Sequence, residues 1–139
     1  MKKGFKFILV MAVLTVLVGV VACSSKSKKL NLSIDNVTKC ELISGSTGDI
    51  YVISNDEAMQ IIDMLNDLEV KTDSEKRTGW IYRVIMYDGE ETVLDATISS
   101  KSVRIRDVGN YTIPDNKGEK IGEYMDSLGQ KYFKKDNNI

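Results

Sequence analysis

From Trp80 to Ile113 apolar and polar residues alternate with period two, and three turn signals cut the run into short pieces. Trp80, Tyr82, Val84 and Met86 fall on one side of the first piece, with Ile81, Arg83, Ile85 and Tyr87 on the other. Asp88-Gly89 marks a hairpin, and the return strand carries Thr92, Leu94, Ala96 and Ile98 against Val93, Asp95 and Thr97. Ser100-Lys101 and Gly109-Asn110 then bracket Val103 and Ile105, which alternate with Arg104 and Arg106, before Tyr111 and Ile113. Successive side chains of a strand point to opposite faces. Tight turns connect only antiparallel neighbours. The run therefore predicts a four-stranded antiparallel meander.

Upstream, Ser54-Asn55-Asp56-Glu57 has the form of a capping box, in which the serine hydroxyl satisfies an orphan N–H and the glutamate reaches back. Ala58, Ile61, Ile62, Leu65 and Leu68 follow at helical spacing, with Asp56, Gln60, Asp63 and Asp67 on the opposite, solvated side. A second helix is predicted after Asn116 and Glu119, a weaker capping box, with Ile121, Tyr124, Met125, Leu128 and Tyr132 on one face. Gly118, Gly122 and Gly129 lower its propensity, so it depends on docking. Before the first helix, Leu30, Leu32 and Ile34 alternate, as do Cys40 and Leu42. Ile50 to Ile53 is a short β-rich run after Gly45-Ser46-Thr47-Gly48. Lys71 to Thr78 reads as a charged loop. The order is β-β-α-β-β-β-β-α, an α+β fold with the meander packed against two helices over a single domain, residues 30–139. A helix followed by four antiparallel strands resembles cystatin-like and related small inhibitor or binding folds; this likeness of element order carries no function.

The N-terminus has a basic start (Lys2, Lys3, Lys6), sixteen largely apolar residues from Phe7 to Ala22, and then Cys23. A membrane-spanning helix needs roughly 20 apolar residues, whereas a charged start, a short apolar core and a small residue before the cut make an export signal. Val20-Val21-Ala22-Cys23 resembles the lipobox of a bacterial lipoprotein. That resemblance implies a signal peptide over residues 1–22, cleavage between Ala22 and Cys23, and a diacylglycerol on the Cys23 sulfur, often with a further acyl group such as palmitate on the new amine. Two or more acyl chains, at about 0.8 kcal/mol per buried CH₂, hold a protein stably on a membrane. Residues 23–29 then form a lipidated cysteine and polar tether. The run from Tyr51 through Ser54-Asn55-Asp56-Glu57 to Gly79-Trp80-Ile81-Tyr82 and Tyr87-Asp88-Gly89 is similar to small lipoproteins of Gram-positive bacteria, a likeness that transfers no activity. The expected location is the extracytoplasmic face of the cell membrane.

Charge and composition narrow the functional classes. Beyond Cys23 there are 16 basic and 20 acidic residues, net −4, and from Leu30 onward 13 and 20, net −7. Nucleic-acid binding, which needs a concentrated basic face, is not expected. The chain has no histidine, which removes the usual general base and imidazole metal ligands. With Cys23 acylated, Cys40 is the one remaining thiol, read as a small buried hydrophobe. Ser25-Lys26-Ser27-Lys28 fits S-x-x-K but lies in the tether without its partner motifs. Asp88-Gly89-Glu90-Glu91 lacks the ligand spacing of a calcium loop. No catalytic residue, metal site or cofactor is expected.

The functional lead is aromatic: Trp80, Tyr82, Arg83 and Tyr87 form the candidate binding surface, although a lone tryptophan in so small a domain also reads as core. The expectation is a membrane-anchored, non-enzymatic module that binds an envelope protein or peptide. The alternatives are an envelope hydrolase or transferase using carboxylates, and a structural or assembly role. Replacement Cys23→Ala is expected to move the protein from the detergent phase to the soluble export pool or an uncleaved precursor. Detergent partitioning equal to that of the wild type contradicts the anchor.

Overall fold

The computed structural model describes residues 26–73 and 79–134. The segment read as a signal peptide, with Ala22 and Cys23, lies outside the described residues. The fold is α+β: eight antiparallel strands form one sheet, and two helices cover one of its faces. In chain order the elements are β1 (Lys28–Lys29), β2 (Lys39–Ser44), β3 (Ile50–Ile53), α1 (Asn55–Asp67), β4 (Glu69–Asp73), β5 (Tyr82–Asp88), β6 (Glu91–Ile98), β7 (Ser102–Ile105), β8 (Gly109–Thr112) and α2 (Glu119–Phe133). Across the sheet the order is β1-β4-β8-β7-β6-β5-β2-β3.

The meander forms as its alternation requires, with β5, β6, β7 and β8 paired in sequence. Two of its turns show why. Gly89 takes φ +62° as the first of the two residues between β5 and β6, the position where a primed hairpin turn needs a positive φ. Asp107 takes φ +61° as the middle of the three residues between β7 and β8, a turn that falls just before the predicted Gly109-Asn110, which belong to β8. The sheet is wider than four strands because hairpin β2–β3 adds to β5 and strand β4 adds to β8.

Three readings of the sequence are corrected here. Lys71 to Thr78 is not wholly a loop, since Lys71, Thr72 and Asp73 pair with Thr112, Tyr111 and Asn110. A strand of mixed polar composition gives little period-two signal; its one deeply buried side chain is Val70. Leu30 to Ile34 is not a strand. Asn31 turns to φ +51°, and the Asn66 side chain takes the place of a strand partner, accepting from the Leu32 N–H at 2.6 Å and donating to its carbonyl at 3.1 Å. The strand at this end is instead Lys28–Lys29, against Val70 and Glu69, which takes two lysines out of the segment read as tether. Asn116 does not cap α2: it adopts φ +64°, Gly118 is the N-cap residue, and no side chain bonds there.

The core lies between the helices and one sheet face. Ala58, Ile61, Ile62 and Leu65 from α1 and Ile121, Met125 and Leu128 from α2 meet Cys40, Leu42, Val84, Met86, Leu94, Ala96, Ile98 and Val103 from the strands. Helix α1, 13 residues and so about 20 Å long, carries the chain beneath the sheet from edge strand β3 to β4. The glycines of α2 are explained by close approach: a Cβ on Gly118 would sit 1.8 Å from the Ser100 carbonyl oxygen, and one on Gly129 would sit 2.1 Å from the Tyr82 hydroxyl. Among the described residues no helix is long and apolar enough to cross a membrane.

Glu57 ties the two helices together. Its carboxylate accepts from the Ser54 N–H at 2.9 Å, completing the predicted capping box, from the Tyr132 hydroxyl at 2.6 Å, and from the Lys131 ammonium. Burial pushes the carboxyl up, but the donors from Lys131, Tyr132 and Ser54 outweigh it and hold it at about 2.

Ser54→Ala is expected to cost about 1 kcal/mol through loss of the cap, and Leu65→Ala roughly 2 to 5 kcal/mol through a core cavity. Denaturant melts check both, and equal, negligible effects contradict the helix. The depressed Glu57 carboxyl gives a second expectation. Its ionised form stabilises the fold fully above about pH 4.5, its ordinary value, and that contribution disappears as the pH falls through about 2. Glutamine also serves at the third position of a capping box, so Glu57→Gln isolates the charge. The gap in melting temperature between wild type and Glu57→Gln should be constant from pH 8 to pH 5 and close towards pH 2.

Candidate functional site

Both helices lie on one face of the sheet, so among the described residues the other face is uncovered across its central strands, and cross-strand register fixes what it displays. One row runs Ile50, Ile43, Arg83, Thr97, Arg104, Asn110 and Asp73, each opposite the next on neighbouring strands. The adjacent row runs Val52, Glu41, Ile85 and Asp95. Arg106 joins that row through its N–H, which donates to the Asp95 carbonyl at 2.8 Å. At the β3 edge the rows begin apolar, with Ile50 and Val52 each more than half exposed. Towards the centre they become charged.

The charged part is organised around Asp95. The Arg83 Nε and Nη2 donate to its two carboxylate oxygens, both at 2.7 Å, the forked geometry that guanidinium and carboxylate share. The Arg106 Nη1 adds a longer contact at 3.3 Å. These donors, Arg83 first, hold the Asp95 carboxyl below its ordinary range despite partial burial. Thr112 Oγ1 donates to Asp73 at the far end of the row. Above Asp95, the side chains of Trp80, Arg83, Thr97, Arg104 and Arg106 enclose with it a shallow pocket of about 210 Å³.

Trp80 reaches this pocket because it does not continue strand β5. Gly79 takes φ +93° and turns the chain, and the Trp80 backbone crosses Gly45 so closely that a Cβ there would fall 2.0 Å from the Trp80 carbonyl oxygen. The alternation that placed Trp80 with Tyr82 therefore fails at the strand's first residue. The core reading of Trp80 is corrected with it: the residue is 39% exposed and lines the uncovered face.

The four predicted surface residues thus separate. Trp80 and Arg83 meet in the pocket. Tyr87 is on the same face but four residues along β5, about 13 Å away, where its hydroxyl donates to Glu41 at 3.2 Å and the Lys39 ammonium lies 5.4 Å from its ring centre. Tyr82 is on the helix side, its ring stacked on Phe133 at 6.5 Å and its hydroxyl against Gly129. The residues that complete the pocket, Asp95, Thr97, Arg104 and Arg106, were on the polar side of the predicted strands. What brought them together is the register, which turn lengths set and alternation alone does not.

A second, larger groove of about 340 Å³ lies between the start of β5, the end of β6 and α2, with Glu119, Glu123 and Asp126 along it. All three acids are exposed to solvent. Cys40 is fully buried, and burial, with help from Glu41 and Glu57, pushes its thiol up to about 12. Among the described residues no three metal-ligating side chains gather.

No family model matches the chain, and neither a curated protein nor a solved structure does.

Proposed function

We propose that this protein is a lipid-anchored module of the extracytoplasmic membrane face that binds an envelope protein or peptide through the uncovered face of its sheet. The observation that carries the reading is the composition of that face: exposed apolar side chains, Ile50, Val52 and Trp80, beside a guanidinium-rich pocket. Sheet faces of this kind combine contact area with directional hydrogen bonds, and tryptophan and arginine are the residue types that most often dominate binding energy.

The ionisable groups support binding over catalysis. General acid chemistry near neutral pH uses a carboxyl raised by burial, and a thiol or amine nucleophile is activated by a depressed pKa. Here the resolved shifts run the other way. Glu41, Glu57 and Asp95 are held down by donors, Lys39 and Lys131 are held up by carboxylates, and the Cys40 thiol is pushed up. Each group is locked in its resting charge state.

The anchor and the sheet fit together in space. Four residues lie between Cys23 and Lys28, so the two are at most about 18 Å apart, and Lys28 is paired with β4, with its ammonium 5.2 Å from the centre of the Tyr111 ring. On this reading the β1 edge is the one nearest the anchor, and β3 is the opposite edge of the sheet. The apolar start of both rows lies at the β3 edge, opposite the edge to which the tether leads.

The double replacement Ile50→Lys, Val52→Lys changes two side chains already exposed to water. It is expected to reduce cross-linking of the domain to its envelope partner at least tenfold, while the melting temperature moves by no more than about 2 °C. Undiminished cross-linking contradicts the assignment of this face.

A further inference from the structure

The two edges of the eight-stranded sheet are built differently. At one end stands β1, two residues long and made of Lys28 and Lys29. Shortness and lysine are the usual means by which an edge is kept from pairing with another chain. At the other end stands β3, Ile50-Tyr51-Val52-Ile53, with no charge and no proline. Among the described residues no strand lies beyond it. Its backbone groups are aimed in a definite way. The Ser44 N–H donates to the Asp49 carbonyl at 3.0 Å, which makes these two a hydrogen-bonded pair of hairpin β2–β3. Bonded and non-bonded pairs alternate along an antiparallel ladder, and Tyr51 is opposite Leu42, Ile53 opposite Cys40. Tyr51 and Ile53 therefore direct their peptide groups to β2, whereas the N–H and carbonyl of Ile50 and Val52 point away from the sheet. The side chains of the same two residues are each more than half exposed on the helix-free face.

We propose that β3 pairs antiparallel with β3 of a second copy of this chain, Ile50 of each opposite Val52 of the other. Outward groups can meet only outward groups, and this register uses those of Ile50 and Val52 in both copies. Tyr51 then faces its counterpart across a two-fold axis as a non-bonded pair, and the Ile50 and Val52 side chains of both copies adjoin one another on the helix-free face. The domain is net −7 from Leu30 onward, yet the approach is along an uncharged strand. Asp49, the acid that flanks it, stands four residues out of register with its counterpart, about 14 Å away, beyond the screening length of about 8 Å. A second copy fits better than an unrelated strand because it brings an equal edge in need of cover. The pair leaves only the two β1 edges outside, so the assembly closes at two and does not grow into a fibre. The inference goes beyond the partner reading and does not depend on what the helix-free face binds.

Four residues from each side make a short contact, so the test traps it in place. Full-length Ile50→Cys and Val52→Cys chains with different tags are produced together in the native cell, and the membranes are treated with diamide, which oxidises two neighbouring thiols to a disulfide. In the proposed register Ile50 and Val52 of opposite copies have Cα atoms about 5.5 Å apart, within bridging distance. Two Ile50 residues, or two Val52 residues, are about 8 Å apart and out of reach. The mixed disulfide is expected to exceed either single-variant disulfide at least tenfold, and the wild-type chain, treated alike, is expected to give none. Equal yields from the mixture and from either variant alone overturn the proposal. A bridge that forms only after residues 135–139 are removed also overturns it, assigning the edge to the chain's own C-terminus, which follows Phe133, whose ring centre is 5.1 Å from that of Tyr51. If the mixed disulfide is absent while cross-linking to the envelope partner still depends on Ile50 and Val52, self-pairing falls and the partner surface stands.

Discussion

Covering one face of an antiparallel sheet, and only one, is the constraint on which the rest of this structure depends. Two helices and eight strands enclose a core of residues such as Leu42, Ile61, Met86, Ile98 and Met125, each almost wholly removed from water. At about 25 cal/mol per Å² of apolar surface, that burial dominates the favourable side of folding. It also fixes, by subtraction, which side chains the opposite face displays. Once α1 and α2 occupy one face, the residues of opposite parity in β2, β5, β7 and β6 from Leu94 onward face the other way, and the pairing register decides which of them become neighbours.

Polar interactions then fix what burial leaves loose. Helix α1 enters with a complete capping box, while α2 begins at Gly118 with no side-chain cap. Glu57 compensates by reaching from the first turn of α1 to Lys131 and Tyr132 in the last turn of α2. On the opposite face, Asp95 does the corresponding work for Arg83 and Arg106. The two carboxylates differ in consequence. Glu57 meets donors from both helices and joins them, whereas Asp95 lies on the sheet face that the helices leave open and divides its two oxygens between Arg83 and Arg106.

The sequence made the regular parts of this architecture legible because they carry strong periodic signals. Helix α1 and strands β5 to β8 follow from alternation, turn residues and the Ser54–Glu57 box. Strand β4 was hidden because Glu69 to Asp73 has one deeply buried residue, Val70, and is polar elsewhere. Leu30 to Ile34 misled for the reverse reason: its alternation is real, yet the backbone is held by Asn66 rather than by a strand. In the candidate site, Arg83 and Trp80 were visible as residue types, but Trp80 was placed on the wrong side because the turn at Gly79 interrupts the period. Arg104 and Arg106 became neighbours of Arg83 only through cross-strand register, a long-range property that local pattern does not encode.

The central claim is that the helix-free sheet face is the working surface, and thiol shielding in place tests it most directly. Cys40 is buried with a thiol pushed up to about 12, so a cysteine introduced at Thr97 becomes the reactive one in the folded domain. The account predicts that Thr97→Cys is labelled by a membrane-impermeant maleimide in the purified domain and shielded in the native envelope, while Asp63→Cys, on the solvent side of α1, is labelled in both. Shielding at Asp63 with free labelling at Thr97 would contradict it.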